Sequence, residues 1–261
     1  MSEIPFERIR VTHAGPRATL TLHYPERRNA IGTLMTTELL DALDAAWSTE
    51  SVRVIVLTGD GKAFCAGGDF GQMTDGSDAP KRPIHGDYVD LLLALWRSPK
   101  PIVARVNGHA LGGGLGLVAA STLAIAADAA LLGTPEIEVG LFPMMIMAVL
   151  SRLMPRRRLV EMMLLGQKLS AAEARDAGLL NRVVPADQLD TTVDALVEGL
   201  ASKSPSTMKL GLKALADHED RELADALPLL RDRLAECLST EDAREGLMAF
   251  LEKRAPQWKG R

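Results

Sequence analysis

The sequence predicts an α/β fold with a separate helical C-terminal region, and three observations carry that prediction. Short β-branched runs closed by glycine recur along most of the chain, helical stretches with apolar spacing alternate with them, and from about Asp190 onward the strand pattern stops. At 261 residues, 47% of them hydrophobic and 25% charged, the chain can bury one large core and support an appendage.

The elements follow in order. RATLTLHYP alternates apolar and polar residues as a half-buried strand does, and RNAIGTLMTTELLDALDAAW then brings Ile31, Leu34, Met35, Leu39, Leu43 and Trp47 round at helical spacing. VRVIVLTGDG is a strand closed by Gly59 and Gly61, KPIVARVNG is another closed by Asn107 and Gly108, and TLAIAADA is a third. The polar stretch DFGQMTDGSDAPKRPIHGD reads as a long mobile loop, of the kind that covers a site, ahead of a helix through Leu91 to Trp96. LSAAEARDAGLLNRVVP carries a capping box, Ser170 with Glu173, then a helix end at Gly178 and a short strand. Four helical segments close the chain, with breaks near Pro205, His218 and Ser239. We therefore expect a core over 1–195 and a helical region over 196–261, with no internal repeat of fixed period.

Composition excludes several classes. The formal charge is −4 and the longest basic run is Arg156 to Arg158, which is not the basic stripe that nucleic-acid binding requires. Cys65 and Cys237 stand far apart, without the partners of a zinc site or a disulfide framework. No metal site is expected, and a reducing compartment fits. The N-terminal stretch is charged and interrupted by Pro5, and no apolar span approaches roughly 18 residues. These features predict a cytoplasmic protein that does not enter a membrane.

Two glycine-rich segments share a plan. FCAGGDF follows the strand ending at Leu57, and NGHALGGGLGL follows the strand ending at Val106. Each lets the backbone turn sharply where a strand ends, so that bare N–H groups can point into a cleft and form an oxyanion hole. If Gly112 to Gly114 open a helix, its dipole adds partial positive charge at the same point. Tight turns and close packing are the alternative use of the same residues. Neither segment is a phosphate loop, because the Lys and Ser/Thr of GxxxxGK[ST] are missing. Gly116 adds a further question, since glycine inside a helix costs roughly 0.5–1 kcal/mol relative to alanine.

GKAFCAGGDF, VNGHALGGGLGL, TPEIEVGLFP, GQKLSAAEARDAGLLNRVVP and the terminal AFLEKR, in that order, resemble the enoyl-CoA hydratase/isomerase family, also called the crotonase superfamily. The resemblance covers nearly the whole chain. It implies a spiral of ββα units with a helical C-terminal trimerisation region, assembled as a homotrimer or dimer of trimers, acting on an acyl-CoA thioester. Coenzyme A would be part of the substrate, and no separate cofactor is implied. By the same resemblance the N–H groups of Gly68 and Gly113 are the oxyanion donors, and Ala66 meets the adenine through its backbone. Arg27 and Arg28 lie where CoA phosphates are expected, and Phe250 and Lys253 reach the CoA of a neighbouring subunit. Solvated surface charge is the alternative for Arg27, Arg28 and Lys253, and helix packing for Phe250. Asp69 belongs to the same CoA-binding turn, where buttressing the backbone is the simplest task for an Asp.

The family's hydratases grip a water between two glutamates. Glu136 matches the second of these positions, and the first falls on Gly116. A single glutamate matching Glu136 serves the family's isomerases, which shuttle a proton between carbons of a 3-enoyl-CoA, so isomerisation to the 2-enoyl-CoA is favoured. Hydration of a 2-enoyl-CoA and catalytically weak acyl-CoA binding are the alternatives. Glu138 and His109 are expected to serve as surface and packing residues. Met144, Met145 and Met147 stand where the hydratases have small residues, and would either shape an acyl pocket, for which Met144 and Met145 are the candidates, or pack the core.

Overall fold

Residue pattern separates the strands into two sheets. The computed structural model describes residues 5–69, 71 and 82–261. Its strands are β1 (Ile9–Ala14), β2 (Arg17–Leu22), β3 (Val54–Gly59), β4 (Ala63–Cys65), β5 (Ile102–Val106), β6 (His109–Leu111), β7 (Leu123–Ala127), β8 (Leu131–Gly133), β9 (Lys168–Ser170) and β10 (Arg182–Val184). The larger sheet has the order β1-β2-β3-β5-β7-β10 and the smaller the order β4-β6-β8-β9. β1 and β2 pair antiparallel, whereas β2, β3, β5, β7 and β10 run parallel. β3 is apolar and buried along its whole length, as a parallel strand covered on both faces must be. β2 keeps the predicted alternation because one face lies toward the core.

The central strands come in pairs. β3, β5 and β7 lie side by side in the large sheet, and each hands over within a few residues to β4, β6 or β8, which lie side by side in the small one. Two asparagines hold these handovers. Asn107 accepts from Gly59 N (3.1 Å) and donates to Gly61 O (3.0 Å), while buried Asn29 donates to Asp60 O (2.9 Å) and Ala63 O (3.0 Å). The turns of the spiral differ in length, which is why no period shows in the sequence. β1 was not anticipated, its six residues burying only Ile9, and neither were the three-residue strands β4, β6, β8 and β9, since three residues are too few to display alternation.

The helices are α1 (Thr33–Ser48), α2 (Tyr88–Trp96), α3 (Gly113–Ala120), α4 (Met144–Leu153), α5 (Arg156–Leu165), α6 (Ala171–Asp176), α7 (Leu189–Ala201), α8 (Pro205–His218), α9 (Leu223–Leu238) and α10 (Glu241–Leu251). The main core joins the sheets to α1, α2 and α3 through Phe64, Leu20, Leu22, Met35, Leu91 and Leu115, all fully buried. The capping box at Ser170 and Glu173 opens α6 as predicted. Most of the stretch expected to form the long loop over 69–87 lies outside the described residues.

α7 to α10 are the four predicted C-terminal helices. The expected division at 195/196 falls inside α7, whose Leu189, Val193 and Val197 pack on Val54, Val56, Val103 and Ile125 of the large sheet. α7 thus packs on the large sheet across that point, and α8 to α10 follow it. There, buried Asp242 accepts from Ser204 Oγ (2.6 Å), Ser206 Oγ (3.0 Å), Lys259 N (2.7 Å) and Gly260 N (3.1 Å), tying α8, α10 and the C-terminal tail together. Burial alone would raise its pKa, but these donors together hold the carboxyl below its ordinary value.

Candidate active site

The site grows from the ends of three neighbouring strands in the small sheet. After β4 the chain turns at Gly67, in the left-handed region at φ +109, and runs beside Ile31. Ile31 N donates to Gly67 O and Asp69 N donates to Ile31 O, both at 2.8 Å. This pairing uses the groups on either side of Gly68, so the Gly68 N–H faces away, and among the described residues no acceptor engages it. After β6, Gly112 caps α3 and Gly113 is its first residue. The Gly113 N–H is one of the donors that a helix start leaves without an intrahelical partner, and among the described residues it too is uncommitted. After β8, the 3-10 turn Pro135–Val139 carries Glu136.

The glycine-rich helix start acquires a reason at each position. Gly112 sits at φ +50, and a Cβ there would stand 2.8 Å from Glu136 Oε1, so the carboxylate lies directly against the Gly112 backbone. Gly114 lets the helix close on Cys65, whose carbonyl oxygen would be 2.5 Å from a Cβ. Gly116 faces no open space. A Cβ on it would overlap the Tyr88 hydroxyl and stand 2.5 Å from Ile146 Cγ2. α3 therefore fits among its neighbours only because Gly114 and Gly116 carry no side chain.

Glu136 is half-buried, and its Oε2 is buried without a hydrogen-bond partner among the described residues. Burial pushes its pKa above the ordinary carboxylate value, because removal from water penalises the charged form. Two free N–H groups beside an under-solvated carboxylate can jointly remove a proton next to a carbonyl and hold the resulting oxyanion.

A cavity of about 720 Å³ gathers Gly68, Asp69, Gly113, Glu136, Met144 and Met145 from the predicted set, together with Tyr88. Met144 and Met145 are 64% and 48% exposed; core packing, the alternative reading, holds only for Met147, which packs against the core. Asp69 is buried and accepts from Gly71 N (3.1 Å), which buttresses its turn. Arg27, Arg28 and Ala66 lie away from the cavity lining, at an exposed left-handed turn where Ala66 N donates to Arg28 O (3.0 Å). Phe250 is 80% exposed, which rules out helix packing within this chain, and Lys253 lies in solvent at φ +55. His109 Nδ1 accepts from Leu131 N (3.0 Å), linking β6 to β8, and Glu138 is exposed outside the cavity. The residue that sequence reasoning missed is Tyr88, which no local pattern places beside α3. Among the described residues no group of His, Cys, Asp or Glu could hold a metal ion.

A model of the enoyl-CoA hydratase/isomerase family matches residues 17–261. The chain belongs to that family. Rat mitochondrial enoyl-CoA hydratase domain-containing protein 3 is 32% identical to this family member over 243 residues, spanning 92% of this chain and 80% of the relative. The crystal structure of an enoyl-CoA hydratase from Mycobacterium smegmatis matches with a TM-score of 0.90 at 33% identity, covering 97% of this chain and 99% of the other. An enoyl-CoA hydratase from Bacillus anthracis matches with a TM-score of 0.90 at 30% identity, covering 98% and 100%. The crotonase fold expected from the motifs is the fold of this chain.

Proposed function

We propose that this family member binds an acyl-CoA thioester and moves a double bond of the acyl group, converting a 3-enoyl-CoA into a 2-enoyl-CoA. Glu136 as carboxylate takes a proton from C2, breaking that C–H bond and forming its own O–H. The electron pair spreads over the dienolate, and the N–H groups of Gly68 and Gly113 receive the charge on the thioester oxygen. Glu136 then returns the same proton to C4, leaving the double bond between C2 and C3. One oxyanion donor is worth roughly 3–4 kcal/mol, and general acid–base help of 10²–10⁴-fold adds about 3–5.5 kcal/mol. Coenzyme A enters as part of the substrate, so the scheme needs no separate cofactor.

The observation that carries this reading is the crowding at Gly116. Tyr88 and Ile146 occupy the flank on which a second acid would stand, which leaves Glu136 as the acid/base. The exposed turn at Arg27, Arg28 and Ala66, with Asp69 beyond it, is where we place the CoA moiety. Phe250 and Lys253, both turned to solvent, are assigned to the CoA of a neighbouring subunit in a homotrimer or dimer of trimers. The cytoplasm is the compartment we assign to it.

A second reading, hydration of a 2-enoyl-CoA, is favoured by the names of the relatives, which are hydratases. Purified enzyme given 2-enoyl-CoA and 3-enoyl-CoA in parallel, with water gain read by mass and double-bond position by chromatography against authentic isomers, separates the two. Isomerised product that disappears in Glu136→Gln is the expected result. Water gain as the dominant outcome overturns the isomerase reading, and no turnover of a broad thioester panel reduces the protein to an acyl-CoA binder.

A further inference from the structure

The scheme above gives Tyr88 no chemical step, yet the side chain is held at both its backbone and its hydroxyl. Tyr88 opens α2 directly after Asp87. The Asp87 side chain accepts from Val89 N (2.8 Å) and Asp90 N (3.1 Å), and Asp90 accepts from Asp87 N (2.9 Å), so the backbone from which the ring departs is pinned by a reciprocal cap. On the same face of α2, one and two turns on, Leu91, Leu92 and Leu95 are buried in the core and hold the helix against it. The ring crosses to α3 and runs along its first turn. Its Cζ and hydroxyl are 3.5 Å from the position a Cβ would take on Gly113, its hydroxyl overlaps that position on Gly116, and it donates to Gly113 O at 2.5 Å.

This contact has two effects. The phenol proton is committed to a backbone carbonyl, so the hydroxyl is not offered to a substrate or a water as a donor. Burial first, then the neighbouring Cys65 and Glu136, hold the phenol well above its ordinary pKa, so it remains an uncharged phenol and cannot stand in as a base. The volume it fills matters as much as its chemistry. A water needs roughly 10–15 Å³ of accessible space and two to four polar partners, and beside Gly116 the space holds a hydroxyl and an Ile146 methyl group.

We propose that Tyr88 is the specificity-determining residue of this site: with Ile146 it fills the flank of Gly116 against a second acid and its water, so that the dienolate is quenched by Glu136 alone. The inference rests on the single-carboxylate reading above and adds the side chain that enforces it.

The test is the ratio of hydrated to isomerised product, with hydration read by mass and isomerisation by chromatographic separation of the two enoyl isomers, on 2-enoyl-CoA and 3-enoyl-CoA for the wild type, Tyr88→Phe, Tyr88→Ser, Gly116→Glu, and Gly116→Glu combined with Tyr88→Ser and Ile146→Ala. A ratio does not depend on how much enzyme is folded, so a merely structural role for Tyr88 would leave it unmoved. The ratio is expected to rise about tenfold in Tyr88→Ser and less in Tyr88→Phe, which vacates only the hydroxyl. The triple variant is expected to exceed Gly116→Glu alone by about a hundredfold, the lower range of what a positioned acid contributes. A wild-type enzyme that isomerises, with Tyr88 variants that keep its ratio or lose both products equally, overturns the Tyr88 proposal and spares the function. A wild type that chiefly adds water overturns the function itself, whatever the variants do.

Discussion

Gly112 meets two demands that only glycine satisfies together. Its φ of +50 with ψ of −125 costs an alanine about 1–3 kcal/mol, and the Cβ would press on the Glu136 carboxylate at 2.8 Å. Gly112→Ala is therefore expected to lower the melting temperature modestly and kcat by about a hundredfold or more, because a displacement near 1 Å suffices for that loss. Unchanged kcat in a folded Gly112→Ala enzyme would refute the placement of Glu136. The pH dependence follows from the raised pKa of that residue. Glu136 must be ionised to take a proton, so kcat/KM should fall with decreasing pH through a value above 4.5, the ordinary one. Ionisation also opposes folding here, since the folded-state pKa lies above the unfolded one. Its favourable contribution is complete below 4.5 and is lost as pH rises through the raised value. Glu136→Gln should accordingly melt higher than the wild type near neutral pH, with the difference vanishing in acid. Glu136, Gly68 and Gly113, which the motifs shared with the family single out, line one cavity, although the short strands they follow could not be read from the sequence. Tyr88 was not, because it stands 25 residues from Gly113 at the end of a polar stretch, and nothing local says where a ring lands. Met144 and Met145 were ambiguous for a related reason: helical spacing is the same for a side chain facing core and one facing a cavity.

Among the elements, the seam of α8, α10 and the tail depends on one buried carboxylate. Asp242→Ala would strand Ser204, Ser206 and the Lys259 and Gly260 amides, at a cost of about 3 kcal/mol if most cannot reach water. Chemical denaturation should show that loss, and a cost below about 0.5 kcal/mol would place those donors in solvent. Because the Asp242 pKa is depressed, its stabilisation is present above the ordinary carboxylate value and disappears as pH falls through the folded one. The capping box at Ser170 and Glu173 could be read directly from its letters. The equivalent cap at Asp87 and Asp90 could not, because two aspartates in a Gly- and Pro-rich stretch signal a loop equally well.

At the scale of the molecule, α9 leaves Leu223, Leu227, Leu234 and Leu238 more than half exposed, and α10 adds Phe250. Apolar surface of this extent marks an interaction face. Sedimentation is expected to give a trimer or a dimer of trimers, and Leu234→Asp with Leu238→Asp should shift it toward monomer; a wild-type monomer would exclude the assembly. Among the described residues no helix is long and apolar enough to cross a membrane. The switch from alternating elements to helices was visible in sequence at about Asp190, beside the start of α7 at Leu189, but the packing of α7 on the sheet was not, because α7 is built like its successors.

The small sheet also acts as a ruler. Adjacent strands are spaced about 4.8 Å apart, and two donors that each reach an oxygen at 2.7–3.1 Å can be separated by at most roughly 6 Å. Neighbouring rungs β4 and β6 thus set the pitch between the Gly68 and Gly113 amides, which share one oxygen in the mechanism we propose, and β8 sets Glu136 one rung farther along. The reach of the site is calibrated by backbone hydrogen bonding, and its chemistry can be exchanged by changing what hangs from the third rung.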